Sequence, residues 1–243
     1  MAELRNRNGR GVDVKLENGE TLAADFAVLS VGVVPNIELA AEAGIQTSSL
    51  GIVTDQHLRT SAVGVYAAGD CAEKKSFITQ KPTRGEFGTN AVFMAKVVAQ
   101  NMIGRNKVFP GIINANVTTV YDWSIGSSGL TEKMAMDAGL NVVSGYSEVL
   151  DKYPMMDGVT PIRTKLVFNR DTSSLIGGSV MRKGHGAAQN VDFISFGIQM
   201  GATLEDLLSY QYATFKKCCD IFNNHHKIAP PIRITCVGSN CQN

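Results

Sequence analysis

Asp70 has the setting in this sequence that points most directly to chemistry. It closes the run Tyr66-Ala67-Ala68-Gly69-Asp70, which begins shortly after Thr60. Val63-Gly64-Val65-Tyr66-Ala67-Ala68-Gly69-Asp70 predicts a buried strand ending in small residues, where backbone and ligand can approach closely. A carboxylate at the carboxyl end of a parallel strand points into the crevice where α/β sheets bind ligands. It can accept a hydrogen bond from a sugar-like hydroxyl, or it can only cap a turn; the residues leave both open. A second segment, Ala27-Val28-Leu29-Ser30-Val31-Gly32-Val33-Val34-Pro35-Asn36, predicts a buried strand that ends in a glycine turn and a Pro-Asn break. Taken alone it reads as structural. The third is a helix start near Thr89-Asn90. Free N–H groups and the positive dipole end there can stabilise negative charge, although an ordinary capped helix has the same features.

Thiols and imidazoles offer less. The five cysteines are Cys71, Cys218, Cys219, Cys236 and Cys241. Cys71 follows Asp70 directly and reads as a small side chain used for packing. The adjacent Cys218-Cys219, the Cys236–Cys241 pair and His225-His226 match no standard zinc spacing, so no metal is expected. An odd cysteine count without small-scaffold spacing reads as reduced thiols in a cytoplasmic protein, with a disulfide in the tail as the alternative. His185, between Gly184 and Gly186, reads as structural or solvated.

The composition bounds the scaffold that must position these groups. With 243 residues, 44% hydrophobic and 19% charged, the chain is long enough for one large or two small globular domains. A formal net charge of +1 argues against a nucleic-acid surface built on bulk charge. No apolar run approaches the ~18 residues of a membrane span. Met1 to Arg5 does not lead into a secretory h-region.

Alternation over residues 11–16 and 21–25 around Asn18-Gly19 predicts a hairpin. Phe26–Gly32 predicts a strand buried on both faces. A short helix is expected over Ile37–Ala43, ended by Gly44, and a longer one over Asn90–Ile103, ended by Gly104. In the longer helix Thr89 or Asn90 is the expected cap, and Val92, Ala95, Val98, Ala99 and Met102 the expected apolar face. Arg105-Asn106-Lys107 with Pro110-Gly111 marks a candidate boundary. Beyond it the pattern predicts a strand over Val117–Trp123, a helix from Thr131 and a strand over Val142–Val149. A hairpin of Thr164–Phe168 with Ser174–Met181 comes next, then a helix over Ala187–Met200 and a capped helix at Thr203–Leu208. From Lys216 the chain reads as an irregular tail.

Taken together, these segments resemble the flavin-dependent pyridine nucleotide-disulfide oxidoreductases, in the branch of NADH oxidases, coenzyme A-disulfide reductases and NADH peroxidases. The ordered set is a hairpin, Val31-Gly32 to Pro35-Asn36, Ile52-Val53-Thr54-Asp55, Val65-Tyr66-Ala67-Ala68-Gly69-Asp70-Cys71, and the Thr89–Gly104 helix. The resemblance runs on through Tyr121-Asp122, Gly129-Leu130-Thr131-Glu132, Tyr153-Pro154, Lys165-Leu166-Val167-Phe168, Leu175-Ile176-Gly177-Gly178, Gly184 to Asp192 and Gly201 to Leu207. It covers residues 10–212.

The fold class it implies is α/β: a partial FAD/NAD(P)-binding domain followed by an α+β dimerisation domain with a mainly antiparallel sheet. The implied domains are the end of an NAD(P)-binding domain at 1–36, the last part of an FAD-binding domain at 37–108, a dimerisation domain at 111–212 and a tail at 213–243. FAD would be held by Asp70 on its ribityl chain, by Gly69 at its diphosphate, and by Thr89, Asn90 and Ala91 at its pyrimidine edge. Gly32 and Pro35 would close the NAD(P)H side. Phe93 and Ala95 stand where relatives often carry a polar residue and a glycine. In the dithiol branch a His-Pro pair supplies a proton-transfer group near residue 215; Phe215 cannot do so. In the coenzyme A-disulfide branch tyrosines of this domain reach the partner's thiol site, and the resemblance makes Tyr212 the candidate here, the alternative being a tyrosine packed at the dimer interface.

No Gly-x-Gly-x-x-Gly follows a strand here, and the family's redox cysteine has no counterpart. The chain is therefore expected to be the carboxyl-terminal half of a homodimeric oxidoreductase, with both cofactor sites incomplete and no turnover alone. The alternative is a non-catalytic dimerisation or interaction module.

Overall fold

The computed structural model describes residues 2–211. Tyr212, the tail and its cysteines and histidines lie outside the described residues. The chain divides between Val34 and Pro35 into two compact units.

The first unit is a three-stranded antiparallel sheet of β1 (Glu3–Asn6), β2 (Val12–Lys15) and β3 (Thr21–Ala24), in that order. The β2–β3 hairpin is the one expected, with Gly19 at φ +87° and the Asn18 side chain accepting from the Glu20 N–H at 3.0 Å. Gly11 must lack a side chain, because a Cβ there would sit 2.4 Å from the Ala24 carbonyl oxygen. Strand β1 has no forerunner in the sequence pattern. Glu3-Leu4-Arg5-Asn6 carries one apolar residue, and only its pairing with β2 makes it a strand. The predicted strand over Phe26–Gly32 does not form, and Phe26, Val28 and Val31 are exposed. A strand apolar on both faces needs partners at both edges, and no described strand pairs with it.

The second unit opens with α1 (Glu38–Glu42), one residue shorter at each end than expected and followed by Gly44 at φ +73°. Next come the short pairs β4 (Thr47–Ser48) with β5 (Gly51–Ile52) and β6 (Lys74–Lys75) with β7 (Pro82–Thr83). The strand expected over Val63–Asp70 is absent. One isolated bridge joins Arg59 to Tyr66, and of the run only Ala67 and Gly69 are buried. Apolar content specifies a strand only where a neighbour supplies a continuous ladder, and here the neighbouring segment supplies only two backbone bonds, Thr60 N–H to the Val65 carbonyl at 2.9 Å and Ala67 N–H to the Leu58 carbonyl at 3.2 Å.

Helix α2 (Gly88–Met102) starts two residues earlier than expected, with Phe87 at the N-cap and no side-chain cap. Thr89 and Asn90 lie inside its first turn and cap nothing. Its buried residues are Met94, Val97 and Asn101, whereas Val92 and Met102 are exposed. The helix is apolar on more than one stripe, so periodicity alone does not choose. The choice falls to the Leu58, Ala67, Ala72, Phe109 and Ile112 cluster against which Met94 and Val97 pack.

A five-stranded, wholly antiparallel sheet follows: β8 (Asn116–Val120), β9 (Trp123–Gly129), β10 (Val142–Leu150), β11 (Pro161–Asn169) and β12 (Leu175–Lys183), in the order β10-β11-β12-β9-β8. The single strand expected over Val117–Trp123 is two strands, because Tyr121 at φ +54° and Asp122 make a tight turn. Helix α3 (Glu132–Asp137) begins one residue after the expected start, and Thr131 is its N-cap, its hydroxyl accepting from Met134 N–H. Helix α4 (Ala187–Met200) has the predicted bounds, and Val191, Ile194 and Ile198 are buried as their spacing requires. Ile194 and Ile198 share a core with Ile162, Leu166, Phe168, Leu175 and Val180 of the sheet.

Helix α5 (Leu204–Ser209) carries a complete capping box between Thr203 and Asp206. The Thr203 hydroxyl, and then its backbone N–H, hold the Asp206 carboxyl below its ordinary value. The contribution of this cap is therefore full above the ordinary carboxylate range and is lost as pH falls through the lowered value. Thr203→Val is expected to move the Asp206 titration upward in carboxyl NMR. An unchanged midpoint would remove the hydroxyl as its cause.

Candidate functional site

The Gly69–Glu73 turn is held from one side by β5. Ile52 N–H donates to the Cys71 carbonyl at 2.7 Å, and Glu73 N–H donates to the Ile52 carbonyl at 2.9 Å. Gly51, at φ +138°, lies so close that a Cβ would come within 2.7 Å of Ala72 C and Cys71 O. The Ser48 hydroxyl donates to the Glu73 carboxylate at 2.5 Å. Gly69 adopts φ +83°, and its carbonyl accepts from Ala72 N–H at 3.2 Å. The Cys71 thiol is half-buried and points to the Ala68 carbonyl, consistent with packing. Asp70 is exposed, and its carboxylate has no hydrogen-bond or ion-pair partner among the described residues, so it does not cap the turn.

This turn abuts the start of α2. A Cβ on Gly69 would stand 3.5 Å from Ala91 Cβ. Ala91 N–H makes the first bond of the helix, to the Phe87 carbonyl at 3.1 Å. The amides of Gly88, Thr89 and Asn90 therefore precede the helical ladder and lack acceptors within it. Thr89 is exposed. The Asn90 side chain donates to the Gly85 carbonyl at 2.9 Å and stands 3.4 Å from Asn114 Oδ1. Exposed Asp70 and the first turn of α2, brought together through buried Gly69, thus form one surface with free donors and a free carboxylate.

Lys74 lies beneath this surface, and sequence reasoning missed it. Its side chain is 1% exposed. It donates to the Ala72 carbonyl at 3.1 Å and to the Asp70 carbonyl at 3.4 Å, with Glu86 Oε1 at 3.9 Å. A Lys74-Lys75 pair reads as solvated, and nothing local distinguishes the buried member. Gly32, at φ +86° and exposed, lies within the first unit's apolar segment, with nothing within 4 Å of a Cβ there. Pro35 is half-buried and opens the second unit. His185 is exposed.

Two shifted carboxyl groups, Glu148 of β10 and Glu132 of α3, pair with cations of β11. Arg163 holds Glu148 below its ordinary value, and Lys165, then the Ser144 hydroxyl, do so for Glu132. Burial, then Glu148, push the Tyr146 phenol up. Among the described residues no His, Cys, Asp and Glu group could hold a metal ion. No helix of the described residues is long and apolar enough to cross a membrane.

The chain belongs to the pyridine nucleotide-disulphide oxidoreductase family: residues 1–95 match the oxidoreductase model and residues 116–214 match that family's dimerisation domain. It is 31% identical to an NADH oxidase of Methanocaldococcus jannaschii, over 83% of this chain and 44% of that protein. It is 30% identical to a CoA-dependent NAD(P)H sulfur oxidoreductase of Pyrococcus furiosus, over 81% of this chain and 44% of that one. The fold matches an NAD-dependent persulfide reductase from A. fulgidus with a TM-score of 0.82 and 29% identity, covering 93% of this chain and 42% of the other. A water-forming NADH oxidase from Lactobacillus brevis, bound to NADH, matches with a TM-score of 0.83 and 26% identity, covering 93% and 49%. The chain thus spans less than half the length of the curated relatives it matches. The expected fold class holds: a nucleotide-binding segment followed by a mainly antiparallel dimerisation domain.

Proposed function

We propose that this chain forms part of an FAD-dependent oxidoreductase that uses NAD(P)H, and that it contributes one wall of the flavin site and the surface for homodimerisation. The observation that carries this reading is the contact between the Gly69-Asp70 turn and the first turn of α2. That donor set suits a flavin. An unpartnered carboxylate accepts from ribityl hydroxyls, and free helix amides with a positive dipole end face an electron-rich ring edge. Gly69 keeps the turn free of a side chain where a diphosphate would pass.

When bound, FAD supplies the ring that takes hydride from NAD(P)H and hands electrons on to a disulfide or thiol centre or to oxygen. The protein's own part is orientation and charge. Asp70 fixes the ribityl chain, and the free amides of Thr89 and Asn90 steady negative charge at the pyrimidine edge, whereas the Ala91 N–H is taken up by the Phe87 carbonyl and Ala91 contributes only its small side chain beside Gly69. Gly32 and Pro35 close the NAD(P)H side, where the rest of a nucleotide domain would cover the exposed Phe26–Val34 segment. Residues 111–212 dimerise, and Tyr212 reaches the partner's thiol site. The enzyme works in the cytoplasm, without nucleic acid or membrane.

The chain by itself is expected to be colourless, to bind no FAD and to oxidise no NADH, because the diphosphate fingerprints and the redox cysteine are not among its residues. A visible spectrum, an FAD titration and an NADH oxidation assay check this. The gene decides the larger reading. A Gly-x-Gly-x-x-Gly turn and a lone cysteine within the preceding ~220 residues support the enzyme, being one to two domains' length. An in-frame stop directly upstream would favour a stand-alone interaction module instead.

A further inference from the structure

We propose that Lys74 is a positioning residue of the flavin-facing surface: its buried ammonium ties the Asp70 turn to the segment that opens α2, and so sets where Asp70 stands. This rests on the flavin reading above.

Lys74 is the largest fully buried side chain among the described residues. Burying an ammonium is unfavourable unless it is paired and hydrogen-bonded, and a methionine would fill the same space without that cost. The contacts show what the charge does. Two donors go to the Ala72 and Asp70 carbonyls, both within the turn. The compensating carboxylate is Glu86, which belongs to neither the turn nor β6. Glu86 immediately precedes Phe87, the N-cap of α2, and its other oxygen accepts from Gly85 N–H at 3.1 Å.

The ammonium therefore joins two segments that also approach each other where Gly69 faces Ala91. β5 anchors the turn at Cys71 and Glu73, on either side of the residue that Lys74 holds. Asp70 depends on this arrangement, because its own side chain has nothing among the described residues to fix it. Backbone carbonyls bound from beneath by Lys74 leave the carboxylate aimed outward and available.

Two variants test the tie, Lys74→Met and Glu86→Gln. The first measurement is amide hydrogen exchange on this chain. Both variants are expected to speed exchange at residues 69–73 and 88–91 by about tenfold, with β11 and α4 unchanged. The second is FAD affinity in the full-length flavoprotein. Lys74→Met is expected to weaken it by about tenfold, with Glu86→Gln in the same direction and smaller, and to shift the bound flavin's absorbance band. A purely structural lysine would instead raise exchange throughout the unit and leave the band in place, and that result overturns the proposal.

So do variants whose turn exchange and FAD affinity match the wild type. If Lys74→Met does not fold, Glu86→Gln carries both measurements, since it keeps the ammonium and the volume. Asp70→Ala separates the two levels of argument. If it weakens FAD binding while Lys74→Met does not, the positioning role falls and the flavin reading stands. If neither does, both fall.

Discussion

Gly177→Ala is expected to destabilise the antiparallel sheet by about 3 kcal/mol or more, the upper range for forcing extra volume into a filled interior. Gly177 lies in β12 between Gly129 of β9 and Val167 of β11. A Cβ there would stand 1.9 Å from the Leu130 carbonyl oxygen and within 2.9 Å of Leu130 C and N. These are backbone atoms, and Leu130 N–H is itself bonded to the Ile176 carbonyl at 2.9 Å, so the neighbour has no free direction in which to retreat. Gly129 opposite is equally confined, with φ +72° and a Cβ position 2.4 Å from Ile176 O.

Domains of this size hold ~5–15 kcal/mol in total, so the substitution removes a large share. A fall in Tm of about 6–12 °C follows for a chain of this length. Gly88→Ala is the control, since nothing lies within 4 Å of a Cβ there. Thermal unfolding of both variants checks the argument, and a Gly177→Ala midpoint equal to that of the wild type would refute the close approach.

Asp70→Ala is expected to do the reverse: leave stability within about 0.5 kcal/mol, as for an exposed side chain without partners, and cost most of the FAD affinity. A hydrogen bond to a charged group contributes ~1.5–3 kcal/mol, so the FAD dissociation constant of the flavoprotein should rise by about 10- to 150-fold. Asp70→Asn keeps one acceptor oxygen and should fall between. Flavin fluorescence titration reads the affinity and denaturant unfolding reads the fold. An unchanged dissociation constant in Asp70→Ala would sink the flavin reading of this turn, whatever the stability.

What could be read directly from the residues was local or periodic. The β2–β3 hairpin follows from alternation around Asn18-Gly19, α4 from Val191, Ile194 and Ile198 at helical spacing, and the capped start of α5 from Thr203. The family was legible too, because its motifs sit in a fixed order along the chain.

Tertiary structure alone decided the rest. Phe26–Gly32 and Val63–Asp70 have strand composition, but a buried strand exists only where neighbours complete its ladder, and the described residues pair no strand with the first and give the second a single bridge. Helix α2 carries more than one apolar stripe, and contact with Leu58, Ala72 and Ile112 selected Met94 and Val97. Lys74 and Lys75 are the same residue side by side. One is buried on the Asp70 turn and one is exposed because β6 turns alternate residues to opposite sides, and only the surrounding fold determines which side has an interior.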